Sequence, residues 1–186
     1  MISSFKPLPG LPPYGPPATA FPPEWGCLGR EGVMVEFDSR GALWVANFQP
    51  GLEGLTVVYP HPNGHDAVVI ASGDLWVVNP EERSAQRLLP AIDMALEVQD
   101  PNGWVFSRQG IALVRFGPEG LIWHTRRLSF DGFDQLRIEG DEVRGLAWSP
   151  VGDTWRAFQV DLRTGRSSGG TYPESDPERW EQISVR

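Results

Sequence analysis

From residue 32 to residue 168 the chain alternates short apolar runs with short polar breaks. The runs are VMVEF (33–37), ALWVANF (42–48), LTVVY (55–59), AVVIA (67–71), DLWVV (74–78), ALEV (95–98), WVF (104–106), IALVRF (111–116), LIWHT (121–125), QLRI (135–138), GLAW (145–148) and RAFQVDL (156–162). The breaks, among them DSRG, PHPNG, SG, DPNG, GPEG and SPVGD, are rich in Gly, Pro, Asn and Asp, the residues of turns. Runs of this length so punctuated predict strands joined by hairpins. No 3.6-residue period persists over eleven residues here, so helix is not expected. AVVIA and LTVVY carry apolar residues on both faces, so both faces must be covered. The tail differs. SDPERWEQI offers Ser175 or Asp176 as an N-cap, Pro177 at the first helical position and Glu178 in the first turn, and predicts a short helix near 176–183.

Two of the runs share more than apolarity. RGALWVANF (40–48) and SGDLWVVNP (72–80) both hold Gly-x-Leu-Trp-Val with Asn two residues on. GWVF, LIWHT, GLAWS and DTWRAF carry further tryptophans, most just after a glycine turn. The simplest reading is a repeated unit with Trp as its core wedge. GDLWVVNPEERSAQRLL reads as a hairpin with an outer strand in SAQRL. RIEGDEVRGLAWSPVGDTWRAFQVDLRTGRSSG reads as a four-strand meander. These stretches resemble β-propeller blades, and the resemblance covers roughly residues 30–170. It implies a small propeller of about four blades, of roughly 35 residues each against the usual 40–50. The sequence departs from the common pattern: no His-Trp-Asp blade signature is present, and Trp44, Trp76, Trp104, Trp123, Trp148 and Trp155 are unevenly spaced. The stretch WHTRRLSFDGFDQLRIEGDEVRGLAW is also similar to uncharacterised bacterial proteins, which implies no activity. The alternative architecture is a β-sandwich or barrel.

Residues 5–23 hold eight of the eighteen prolines, and Lys6 is their only charge. Proline fixes φ and lacks an amide donor, so an extended arm is expected over residues 1–24, not a helix or an inner strand. Its anchors are Phe5, Tyr14 and Phe21. A ligand for a partner's groove is the functional reading of the same composition. Residues 25–186 are then one all-β domain. With 186 residues and ample aromatics, a core large enough to fold without staples is available.

The single cysteine, Cys27, excludes an intrachain disulfide and favours a reducing compartment. The N-terminus lacks the apolar core of a signal peptide, and no apolar run approaches the roughly 18 residues of a membrane span. A cytoplasmic protein without a membrane partner is expected. The fifteen arginines against one lysine suggest a GC-rich, bacterial coding sequence. The net charge of −8 disfavours nucleic acid as a partner. That charge is uneven. Residues 31–101 hold eleven acids against three arginines, whereas 102–130 hold Arg108, Arg115, Arg126 and Arg127 against Glu119.

Candidate chemistry is sparse. HPNGHD brings His61, His65 and Asp66 within six residues, donor types that bind metals. Asn-Gly is also the strongest hairpin signal, so a turn with two solvated histidines is the preferred reading and no metal is expected. WHTRRLSFDGFD gathers Trp123, His124, Arg126, Arg127, Asp131 and Asp134, the richest polar–aromatic cluster. Alternation along a strand puts His124 and Arg126 on one face and Trp123, Thr125 and Arg127 on the other. Arg and Trp dominate interface energetics, so this is the candidate binding surface. No nucleophile elbow, phosphate loop or dinucleotide fingerprint occurs, so no catalytic residue and no cofactor are assigned. The expectation is a non-enzymatic interaction protein with a protein partner; a bacterial inhibitor is one form this takes. The alternative is an enzyme or small-molecule binder with a site at the centre of the sheets. A deep pocket with convergent His, Asp or Arg would favour that alternative.

Overall fold

The computed structural model describes residues 4–100 and 102–172. The first sheet has the order β1 (Ser4–Leu8), β3 (Val33–Ser39), β4 (Ala42–Phe48), β2 (Thr19–Phe21). The second is β5 (Val57–Pro60), β6 (Ala67–Ala71), β7 (Asp74–Asn79), β8 (Ser84–Leu89). The third is β12 (Gly120–His124), β11 (Ala112–Gly117), β10 (Gly103–Arg108), β9 (Ile92–Val98). The fourth is β13 (Phe133–Glu139), β14 (Glu142–Ser149), β15 (Thr154–Asp161), β16 (Ser167–Gly169). The chain is therefore all-β, with four four-stranded, blade-like sheets, the set a small four-blade propeller has. Every apolar run of the sequence contributes to a strand, some overhanging it by one or two residues, and SAQRL and the end of the meander supply β8 and β16. The second to fourth sheets are sequential meanders. The chain divides into two compact units, Met1–Asp93 and Met94–Arg186. The helix expected near 176–183 lies outside the described residues.

In the first sheet the proline-rich segment supplies both edges. β1 pairs antiparallel with β3, and β2 pairs parallel with β4. An edge strand tolerates Pro7 because its outward side needs no donor. The segment then enters α1 (Pro23–Cys27), five residues with proline in the first turn, too short to leave a helical period in the sequence. Its Trp25 is buried and donates its indole N–H to Asn47 Oδ1 at 3.3 Å.

The repeated Gly-x-Leu-Trp-Val runs are one structural unit used twice. Arg40-Gly41 and Ser72-Gly73 both have positive φ at the two turn residues (53° and 83°; 48° and 88°), the geometry of a two-residue hairpin that matches strand twist. Each turn launches the third strand of its sheet. In each, Trp lands opposite the preceding strand: Trp44 opposite Phe37, Trp76 opposite Val69. Both tryptophans are 3% exposed and join one core with Phe21, Phe48, Val35 and Val78. Phe37 stacks on Trp44 with centroids 4.9 Å apart, and Phe48 meets Trp76 at 5.7 Å. The repeat diverges at its asparagines. Asn47 accepts the Gly32 N–H and donates to Arg30 O, whereas Asn79 caps the turn amides of Glu81 and Glu82.

AVVIA is buried at all five positions, as a run apolar on both faces requires. LTVVY is only half-buried, because β5 is an edge. The second unit has its own core, with Val105 and Leu113 of the third sheet and Phe133, Val143, Ala147, Phe158 and Val160 of the fourth. Trp148 departs from the expected core role. In β14 the buried face carries Val143, Gly145, Ala147 and Ser149, so Trp148 falls on the other face and is half-buried.

Candidate functional site

The stretch from Trp123 to Asp134 runs from β12, an edge strand of the third sheet, into β13, an edge strand of the fourth. β12 ends at His124. Thr125 continues the ladder, its N–H donating to Leu113 O at 2.8 Å and its Oγ1 accepting the Leu113 N–H at 2.9 Å. The chain then bends over the end of β11, where the Leu128 and Ser129 amides both reach Ile111 O. Arg126 and Arg127 therefore sit on a connector rather than on alternating strand faces, a correction forced by the burial of Leu128.

The side chains divide into tethers and surface. Trp123 is half-buried and donates its indole N–H to Leu162 O at 2.9 Å. Arg126 spans to the last described residues, donating to Tyr172 O at 2.6 Å and Gly169 O at 2.9 Å. Arg127 donates to Ser129 O at 3.0 Å and Phe130 O at 2.6 Å. Its guanidinium lies 5.4 Å from the Phe130 ring and 5.2 Å from the Tyr172 ring, within cation–π range. His124, Asp131 and Asp134 are exposed, and Asp134 Oδ1 accepts the Gln135 N–H.

One residue the sequence reading passed over organises this connector. Ser129 is fully buried; its hydroxyl donates to Gly132 O at 2.6 Å and accepts the Trp148 N–H at 3.0 Å. Phe130 N–H and Thr171 Oγ1 also donate to Trp148 O. The connector is thus clamped on the fourth sheet beside Trp148, and Phe130 packs edge-on against that indole with centroids 5.6 Å apart. Trp148 stands opposite Trp155 in the β14–β15 ladder. The result is a row of Tyr172, Arg127, Phe130, Trp148 and Trp155. Phe130 is 43% and Trp155 46% exposed. No hydrogen bond engages the Trp155 indole N–H among the described residues.

The other candidates lie apart. His61, His65 and Asp66 close the β5–β6 hairpin, but His61 is buried rather than solvated. Its backbone N–H donates to Asp66 O, and its Nδ1 accepts the Asn63 N–H at 3.0 Å. Burial holds the imidazole below its ordinary value of 6.5, against the opposing pulls of the Asp66 charge and the Asn63 hydrogen bond. Asn63 also ties Asp66, donating to its Oδ2 at 2.9 Å. Among the described residues no three His, Cys, Asp or Glu converge as metal ligands. Arg115, counted in the sequence with the basic stretch, is fully buried and donates to Trp104 O and Phe116 O. A Cβ at Gly103 would lie 2.5 Å from its Nη1, so that glycine makes the room.

Among the described residues, two hollows of the second unit stand out, and both are open. One, about 310 Å³, crosses the fourth sheet past Gln135, Arg137, Arg144, Leu146, Gln159 and Ser168. Its arginines are committed: Arg137 to Glu139, and Arg144 to Glu139 and Glu142. The other, about 400 Å³, is lined by Glu97, Asp100, Ile138 and Asp141 among others. Neither joins a histidine to these groups.

No family model and no curated protein matches this chain. Among solved structures it is similar to the crystal structure of the Myceliophteria thermophila Cps50 (Swd1) β-propeller domain, with 9% identity and a TM-score of 0.40. The match covers 76% of this chain, which spans 64% of that one. Among the described residues no helix is long and apolar enough to cross a membrane.

Proposed function

We propose that this is a non-enzymatic interaction protein and that it holds a protein partner on the aromatic–arginine row of its second unit. The observation that carries the reading is the exposure of Phe130, on the clamped connector, together with Trp155 on β15. Interface hot spots are enriched in Trp, Tyr and Arg held in fixed geometry, because such side chains contribute contact area with little entropy to lose. The sequence stretch 123–134 enters this reading in two ways. Phe130, Arg127, Asp131, Asp134 and His124 offer contacts, whereas Trp123 and Arg126 hold the connector in place. The net charge of −8 supports protein rather than nucleic acid as the partner. A bacterial inhibitor acting in the cytoplasm fits the composition. Both hollows are open, and the arginines of the one on the fourth sheet are already paired, which favours this over a small-molecule site.

The test is to compare capture by the wild-type chain and by a Phe130→Ser/Trp155→Ser variant, then titrate the captured protein against both. The reading expects a partner that binds the wild type and loses at least about 30-fold in affinity to the variant, the hot-spot threshold. Equal affinities would place the function elsewhere on the molecule.

A further inference from the structure

The loop between β1 and β2 is the counterpart of the aromatic row. It spans residues 9–18, and within it GLPPYGPPA carries Pro12, Pro13, Pro16 and Pro17 and no charge. Its ends are pinned as edge strands of the first sheet, while Tyr14 stands 92% exposed. A proline-rich segment has little conformational freedom left to lose, and its carbonyls lack internal hydrogen bonds. Such segments dock on exposed aromatic ridges, where prolines pack on ring faces and indole or phenol donors meet the carbonyls. The row from Tyr172 to Trp155 is such a ridge, with the Trp155 N–H at its open end. β16 pairs only with Phe158, Gln159 and Val160, so no strand covers β15 beside Trp155 among the described residues.

Within one copy the loop and the ridge are both exposed. From this we infer that the aromatic ridge takes the proline-rich loop, residues 10–18, of a second copy of this chain. The inference rests on the proposed role of the ridge as an interface and names its occupant. An uncharged loop also fits the Arg127 guanidinium, whose Nε and Nη2 already serve carbonyl oxygens. The contact is therefore apolar and hydrogen-bonded rather than ionic, and its strength is nearly independent of salt.

The experiment is sedimentation of the full chain from about 1 μM to about 1 mM, the range of modest affinities. It is paired with titration of a synthetic Gly10–Ala18 peptide followed by tryptophan fluorescence. The mean mass is expected to rise with concentration, with little change on adding salt, and the peptide to bind. A ridge variant, Trp155→Ala, and a loop variant, Pro13→Ser/Tyr14→Ser/Pro16→Ser, should each stay monomeric. Mixed together they should associate, because one keeps the loop and the other the ridge; that rescue excludes misfolding as the cause. A chain that remains monomeric and ignores the peptide overturns the inference, as does association that survives both variants. Peptide binding without self-association also overturns it, because the occupant is then a foreign proline-rich segment. A strictly monomeric chain that still captures a protein through Trp155 leaves the proposed function standing while this inference fails.

Discussion

Trp44 and Trp76 occupy matching places in two copies of one unit, yet they differ in a single hydrogen bond. The Trp44 indole N–H donates to Pro80 O at 3.2 Å, whereas the Trp76 Nε1 is buried with no partner among the described residues. Replacing either by phenylalanine leaves a cavity of roughly 40 Å³, worth about 1 kcal/mol at ~24 cal/mol per Å³. That part is shared, since both residues are 3% exposed. At position 44 the change also strands Pro80 O, an added loss of about 1–3 kcal/mol. At position 76 it removes an unsatisfied donor, which offsets the cavity by a similar amount. Trp44→Phe is therefore expected to cost about 2–4 kcal/mol, and Trp76→Phe close to zero. Urea unfolding followed by far-UV circular dichroism, with equal m-values required, measures both. If Trp76→Phe proves as costly as Trp44→Phe, the lone N–H is satisfied in solution and the reasoning fails.

Trp76→Ala, which empties the whole site, should cost about 3–5 kcal/mol in the same assay; a loss below about 1 kcal/mol would remove Trp76 from the core. Because burial holds His61 below 6.5, the folded chain binds fewer protons than the unfolded chain as pH falls through that value. Stability should therefore be flat above this range and decline below it, and His61→Gln should flatten the decline in unfolding curves between about pH 5 and 7.5. Arg126→Ala should destabilise the second unit by about 1–3 kcal/mol by removing charged donors from Tyr172 O and Gly169 O; an unchanged midpoint would show that the tether is idle. Elemental analysis should find no metal lost on a His61→Ala/His65→Ala change, because Nδ1 of His61 is already accepting the Asn63 amide.

The strand pattern was legible because each run is bounded by turn chemistry, and hairpins are local. Less legible was which face each side chain takes. Trp148 and Trp76 look alike in sequence, but the parity of β14 turns Trp148 outward, next to a Phe130 that arrives from another sheet. β1 and β2 were hidden because proline argues against a ladder, and only a sheet's edge lifts that objection. The cluster at 123–134 was conspicuous by residue type, but its division into tethers and surface was not. The acceptors of Trp123 and Arg126 lie 39 and 46 residues further along the chain, and no local spacing signals them. Arg115 reads as one more surface charge until Gly103 is seen to open a place for it.

The first sheet draws both of its borders from one stretch of about twenty residues. A bare sheet border is a template on which another chain can polymerise, and proteins blunt it with proline and short strands. Here β1 and β2 do so from opposite sides, and Phe21 closes over Phe48 with centroids 5.4 Å apart. A proteolytic cut that removed residues 1–21 would uncover both borders of the β3–β4 hairpin at once and open the aromatic layer between them. The expected product is not a trimmed monomer but an aggregating one. The proline-rich segment is in this sense the chain's own guard against amyloid-like growth, and any expression truncated past Phe21 should be insoluble.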